Sequence, residues 1–349
     1  MIPTEKAPMV FGRARDLVAP AMRAAISRLS AEMRPVAEYH FGWCDADGRD
    51  VGGGGGKGIR PALAILSAEA VGADAAIGIP GGVAVELVHN FSLIHDDVID
   101  GDTERRHRPT VWAQFGIGRA VIVGDALLAL AQQIMLDPAG TLRLDRVAEG
   151  DAARRAAARI AESTASMIAG QALDMAFESL PTIDLEGCLA MEGGKTGALL
   201  GCAASIGAEL AGAPAETVEA LDHFGFELGL AFQAVDDVLG IWGDPARTGK
   251  PAWSDLRSHK KTFPVAAALA AGGEGAAELA TLLATPCLGD DEVARAAELV
   301  EHAGGRELSS AEAARRLDAA LSAIDLPCFA EAARAELSEV ARFVIERKF

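Results

Sequence analysis

Asp96, Asp97 and Asp100 stand close together in this chain, and much later Asp236 and Asp237 repeat the pairing, followed by Asp244. Each group follows an apolar stretch with helical spacing, Val85–Ile94 before the first and Leu228–Val235 before the second. On a helix, residues four apart share a face, so Asp96 and Asp100 stack together. Carboxylates that close repel one another, and an apolar helix holds them only at a cost. A hard divalent cation bound to a polyphosphate would supply the compensating charge.

Cations accompany the acids. Arg105, Arg106 and Arg108 follow the first cluster. Exposed salt bridges are the plain reading of such neighbours, and they contribute little. Guanidiniums also give forked hydrogen bonds to phosphate oxygens. A diphosphate held by acids through Mg²⁺ and by arginine directly would use both signs at once. The glycine run Gly52–Gly56 leads into Lys57-Gly58-Ile59-Arg60-Pro61. Such a run is a flexible connection that also lets backbone N–H groups approach a phosphate. It is not a P-loop, because Gly58 follows Lys57 where Ser or Thr belongs and no strand precedes it. Lys195-Thr196 lies between Gly194 and Gly197, where a helix break would expose backbone. Lys250 sits in Thr248-Gly249-Lys250-Pro251, read as a mobile loop.

The elements that must position these groups are helical. Period-2 alternation and Asn-Gly hairpins are missing from the sequence. Apolar periodicity predicts helices over Ala14–Glu38, Arg60–Gly72, Gly82–Asp100, Val111–Leu136, Ala152–Glu178, Asp184–Gly193 and Thr196–Ala211. It continues with Ala215–Trp242, Phe263–Ala271, Ala276–Ala284, Asp290–Ala303, Ser309–Ala323 and Ala330–Glu346. Breaks fall at glycine and proline clusters, none of which reads as an interdomain linker. If the two acidic clusters share a ligand, the fold is one large antiparallel helical bundle around a central cavity. Residues 1–12 are read as a flexible segment and 13–349 as a single all-helical domain.

Lys plus Arg is 32 against Asp plus Glu at 50, a formal net charge of −18 over 349 residues. That field argues against nucleic acid and anionic membrane surfaces, though not against an anionic small substrate in a metal-lined site. Cys44, Cys188, Cys202, Cys287 and Cys328 are scattered and odd in number, which fits free thiols in a reducing compartment. The first residues lack a basic region followed by an apolar core, so no signal peptide is expected. The uncharged apolar run Thr196–Ala208 is too short to span a bilayer. A soluble cytoplasmic protein is expected.

The series Gly56-Lys57-Gly58-Ile59-Arg60-Pro61, Leu93-Ile94-His95-Asp96-Asp97-Val98-Ile99-Asp100, Arg105-Arg106, Gly170-Gln171-Ala172-Leu173-Asp174, Lys195-Thr196-Gly197 and Phe232-Gln233-Ala234-Val235-Asp236-Asp237 resembles the motifs of the trans-isoprenyl diphosphate synthases, or polyprenyl synthetases, in order and spacing. The match continues through Gly249-Lys250-Pro251, Asp255-Leu256-Arg257 and Lys260, and runs from about residue 14 to the C-terminus.

The resemblance implies a reaction in which an allylic diphosphate ionises and the double bond of isopentenyl diphosphate attacks the cation. It implies that Asp96, Asp100 and Asp236 ligate three Mg²⁺, with Mn²⁺ a substitute, and that Asp97 and Asp237 act behind them. Arg105, Lys195, Lys250 and Lys260 would bind the allylic diphosphate. Lys57, Arg60, His89 and Arg106 would bind isopentenyl diphosphate without metal. Lys195, Thr196 and Gln233 would form the catalytic set, with Thr196 and Gln233 near the developing cation and Lys195 on the diphosphate. A homodimer is also implied.

Three positions depart from the family pattern. Gly240 stands where the second acidic motif usually ends in Asp, His107 where Gly is usual, and Trp112 where His is common. In the family, residues four and five before the first aspartate help floor the product tunnel. These are Ser92 and Phe91, about 6–7.5 Å along the helix from Asp96 at 1.5 Å per residue. One aromatic and one small residue imply a short product, geranylgeranyl diphosphate (C20) first and farnesyl diphosphate (C15) second. A class I terpene cyclase would not need Lys57, Arg60, His89 and Arg106. A non-catalytic partner subunit would have lost more of the acidic and basic positions.

Overall fold

The computed structural model describes residues 7–52, 58–137, 142, 150–178, 180–244, 252–285 and 287–345. Lys57 and Lys250 lie outside the described residues.

The fold is all-α. Among the described residues the sheet is a two-residue ladder, Glu104–Arg105 against Arg108–Pro109. The predicted helices are present, with instructive differences at their ends. Ala14–Glu38 is two helices, Met9–Ile26 and Arg34–His40. Pro35, at the start of the second, cannot donate to the turn before it, so the chain restarts there. Ordered chain also begins before residue 13, since Val10 and Phe11 are buried. Val111–Leu136 is likewise two helices, Val111–Phe115 and Ile117–Leu136. Gly116 separates them at φ +87°, a conformation that favours glycine. At Lys195 the helix does not break as predicted. Gly193–Gly197 is a π turn between Leu185–Glu192 and Ala198–Leu210. Such turns rotate side chains out of the α register and recur at functional sites.

The chain divides into two compact units. One comprises Met1–Glu162, Cys202–Asp222 and Asp325–Val340, the other Ser163–Gly201, His223–Ile324 and Ala341–Phe349. In the first unit, Ile79–Ile99 is the central helix. Its residues Val83, Val85, Leu87, Val88 and Ile94 are fully buried. Ile59–Ala70 and Ile117–Leu136 pack against it. Ala75–Ile99 and Ile117–Leu136 are long and apolar enough to cross a membrane by length and composition; 72% of the first window is buried inside the protein and 44% of the second. In the second unit, Ile241, Leu256, Val265, Val293 and Val300 form one core cluster, and Ile183, Cys188, Phe263 and Ala266 another.

Candidate active site

The first acidic cluster lies at the C-terminal end of Ile79–Ile99, with Asp100 as its C-cap. Helix C-termini favour cations, so three aspartates there work against the local dipole. Asp96 is half-buried and Asp100 exposed. Asp97 is 1% exposed and accepts from Arg105 Nε at 2.8 Å and Nη2 at 2.7 Å. Burial pushes the Asp97 carboxyl up despite this pairing, and its Oδ2 has no hydrogen-bond partner.

Arg105 is presented by the hairpin. Arg106 and His107 form its two-residue loop at φ +54° and +60°, the left-handed pair that such a hairpin demands. Glycine suits that position, so His107 adopts it with some strain. Trp112 Nε1 and Thr110 Oγ1 both donate to Asp102 O, at 2.7 and 2.8 Å, and tie the loop to the helix that follows. Trp112 is therefore a structural clamp. Arg108 donates to the carbonyls of Tyr39 and Cys44 and stacks over the Tyr39 ring. A cavity of about 480 Å³ lies beside this loop, lined by Tyr39, His40, Asp45, Asp97, Arg105 and Arg106 among others.

Arg60, His89 and Arg106 form an electrostatically coupled basic patch in the same unit. Burial, then Arg60, Arg106 and His40, hold the His89 imidazole well below its ordinary range. Burial lowers Arg60 and Arg106 as well, with Glu86 opposing in both cases. Arg60 Nε is buried without a hydrogen-bond partner. His40 joins the patch, an addition that sequence reasoning missed. Its Nε2 meets Asn90 Oδ1 at 3.0 Å, and burial, aided by Arg106 and Arg105, pushes it down to about 3. Positive charge in so desolvated a patch is costly, Glu86 offsets part of it, and an arriving diphosphate would offset more.

Phe91 is 6% exposed, beside half-buried Ser92, on the same helix. Its ring meets His95 edge-on at 4.9 Å between centroids. His95 Nε2 lies 3.2 Å from Val121 O, and a Cβ built on Gly124 would overlap the imidazole.

In the second unit, Thr196 Oγ1 donates to Gln233 Oε1 at 3.1 Å, and Gln233 Nε2 donates to Asp237 Oδ1 at 2.7 Å. Phe263 N donates to Asp237 Oδ2 at 3.0 Å. The chain of bonds fixes both faces of the Gln233 amide. Burial raises Asp237 to about 7, against these hydrogen bonds. Glu192, 3% exposed, is held well above its ordinary value by burial and then by Asp237. It was also missed in the sequence, although a glutamate amid Cys188, Leu189, Ala190 and Met191 is a visible oddity. Lys195 Nζ pairs with Asp174 Oδ2 at 2.5 Å. The backbone around Lys195 runs so close to Gly170 that a Cβ there would lie 2.8 Å from Gly194 C. These contacts account for Gly170 and Asp174, while Gln171 Oε1 is buried without a hydrogen-bond partner. Lys260 is half-buried at the end of the turn after Ser254–Arg257.

The order of acidic clusters, hairpin arginines and the Lys-Thr turn has a counterpart among known proteins. The polyprenyl synthetase family model matches residues 44–300. The chain belongs to that family. It is 47% identical to the (2E,6E)-farnesyl diphosphate synthase of Mycobacterium bovis, over 97% of this chain and 93% of that protein. It is 42% identical to the geranylgeranyl diphosphate synthase of Mycobacterium tuberculosis, over 93% of this chain and 90% of the relative. A crystal structure of a polyprenyl synthetase from Streptomyces coelicolor A3(2) superimposes with a TM-score of 0.89 at 48% identity, covering 97% of this chain and 99% of that one. This polyprenyl synthetase is a trans-prenyltransferase of the short-chain type, acting on isoprenyl diphosphates.

Divalent metal dependence is general in the family. Among the described residues, no three His, Cys, Asp or Glu side chains converge as a ready-made cage. Mg²⁺ does not require one, since it keeps waters and binds through one or two carboxylates plus substrate phosphates. The carboxylate oxygens of Asp96 and Asp100 in the first unit, and those of Asp236 in the second, are each the donor type that such an ion takes.

Proposed function

We propose that this enzyme condenses isopentenyl diphosphate with an allylic diphosphate, head to tail, and releases geranylgeranyl diphosphate. The observation that supports a C20 product is the Phe91–Ser92 pair. The buried Phe91 ring, backed by His95, would stop the growing tail, while Ser92 leaves depth that a second aromatic would fill. The similarity to a farnesyl diphosphate synthase favours a C15 product as the second reading.

In this reading Asp96, Asp100 and Asp236 would hold three Mg²⁺, and the bound ions would supply positive charge to the departing diphosphate. Asp97 keeps Arg105 oriented, and the remaining donors of its guanidinium face the diphosphate. Lys195, Lys250 and Lys260 bind the same group. Lys57, Arg60, His89 and Arg106 bind isopentenyl diphosphate. Gln233, aligned by Asp237, and Thr196 turn oxygen dipoles toward the allylic cation. No side-chain nucleophile takes part; positioning two substrates and excluding water are the protein's contribution. A homodimer completes the reading. Ile117, Val121, Ile122 and Leu136 on one helix are 39–68% exposed, an apolar surface that a second copy would cover.

Incubation with isopentenyl diphosphate and each allylic starter, followed by product chromatography, tests the product. A C20 product supports the reading; C15 alone replaces it with the second. Asp96→Ala and Asp236→Ala should each lower turnover by several orders of magnitude with the fold intact. Near-parental activity in either would remove the metal assignment.

A further inference from the structure

Gly240 lies one turn beyond Asp236 in the helix Ala215–Trp242, at the position where the family pattern leads one to expect an aspartate. A Cβ built on Gly240 would overlap Asp255 Oδ2 and lie 2.8 Å from its Oδ1. The carboxylate of Asp255 thus fills the space that a side chain at 240 would need.

Several contacts hold that arrangement. Ser254 Oγ donates to Gly240 O at 3.3 Å. Lys260 N donates to Asp255 O at 2.9 Å and closes the turn. Trp253, the N-cap of Ser254–Arg257, adopts φ +58° and ψ +32°. A bulky residue enters the left-handed region only when its surroundings enforce it. Here its side chain packs against the cluster that contains Ile241 and Leu256.

We propose that Asp255, laid over Gly240, supplies the carboxylate that position 240 lacks and completes the metal-binding charge around Asp236. The proposal rests on the reading of Asp236 as a metal ligand. Positions 240 and 255 share one carboxylate-sized space. The charge comes from the turn after the helix instead of from the helix itself. An aspartate at 240 is therefore no gain while Asp255 is present.

The test is a titration of the full-length protein with Mn²⁺ in the presence of inorganic pyrophosphate. Free Mn²⁺ is read by electron paramagnetic resonance, and thermal unfolding is recorded in parallel without metal. Asp255→Asn preserves shape and removes charge. It should weaken Mn²⁺ binding by about tenfold or more, with an unchanged melting temperature. Gly240→Asp should lower both the melting temperature and the Mn²⁺ affinity. The exchange variant, Gly240→Asp with Asp255→Gly, should recover both. Asp236→Ala is the reference and should lose tight binding. Parental Mn²⁺ affinity in Asp255→Asn, with binding lost in Asp236→Ala, would overturn the role of Asp255 and leave the Asp236 reading in place. Parental affinity in Asp236→Ala would overturn that reading, and the proposal with it. An exchange variant no better than Gly240→Asp alone would overturn the shared space.

Discussion

Asp97 and Arg105 form a two-pronged ion pair, with Nε at 2.8 Å and Nη2 at 2.7 Å from one oxygen of a carboxylate that is 1% exposed. The second residue of the acidic cluster is thus engaged by the protein itself, while Asp96 and Asp100 flank it on the helix. Truncating one partner of a buried pair costs about 3 kcal/mol, the low end of the usual range because Arg105 is partly exposed. Asp97→Ala should show that loss in urea unfolding. Asp97→Ala with Arg105→Ala should lose less than the sum of the single changes. Strict additivity would show that the pair contributes nothing.

His40 gives the fold an acid limb. Its folded pKa is depressed to about 3, whereas the unfolded imidazole titrates near the ordinary 6.5. Between those values the unfolded state binds the extra proton, so stability falls as pH drops below 6.5 and is unaffected above it. The slope approaches about 1.4 kcal/mol per pH unit. His40→Gln, which can still donate to Asn90, should remove that contribution. The parental minus variant unfolding free energy, followed from about pH 7 down to about pH 4, should fall steadily; a flat difference would refute it.

The basic patch should act on one substrate. Arg60→Ala should raise the KM for isopentenyl diphosphate by about tenfold or more, the worth of a charged hydrogen bond. The KM for the allylic substrate should change much less. Steady-state kinetics with each substrate varied in turn decides this, and an effect confined to the allylic substrate would mean that the two sites are exchanged.

Phe91→Ala should lengthen the product toward C25 or beyond. Loss of a buried ring also costs about 3–5 kcal/mol, so the assay belongs well below the melting temperature. The readout is chain-length distribution by chromatography. An active variant with parental products would make Phe91 ordinary core.

The helices and the acidic clusters could be read from periodicity because Ala- and Leu-rich segments carry strong local preference. Side-chain pairings could not, since they depend on tertiary approach. Nothing local couples Lys195 to Asp174 or His40 to Asn90. The π turn escaped because Gly193, Gly194 and Gly197 are the residues a break would also use. Gly240 was visible as a departure, but an absent side chain does not say what occupies its place. Only the turn at Trp253 brings Asp255 there.

Gly124 puts a handle on Phe91 from the far side of the helix pair. It has no side chain, and the His95 ring uses that room while leaning on Phe91. One methyl group at 124 would press on the imidazole and, through it, on the aromatic ring. On the reading of Phe91 as the tunnel floor, product length is then open to drift at position 124 through the imidazole, and comparison of Phe91 and Ser92 alone would miss the change.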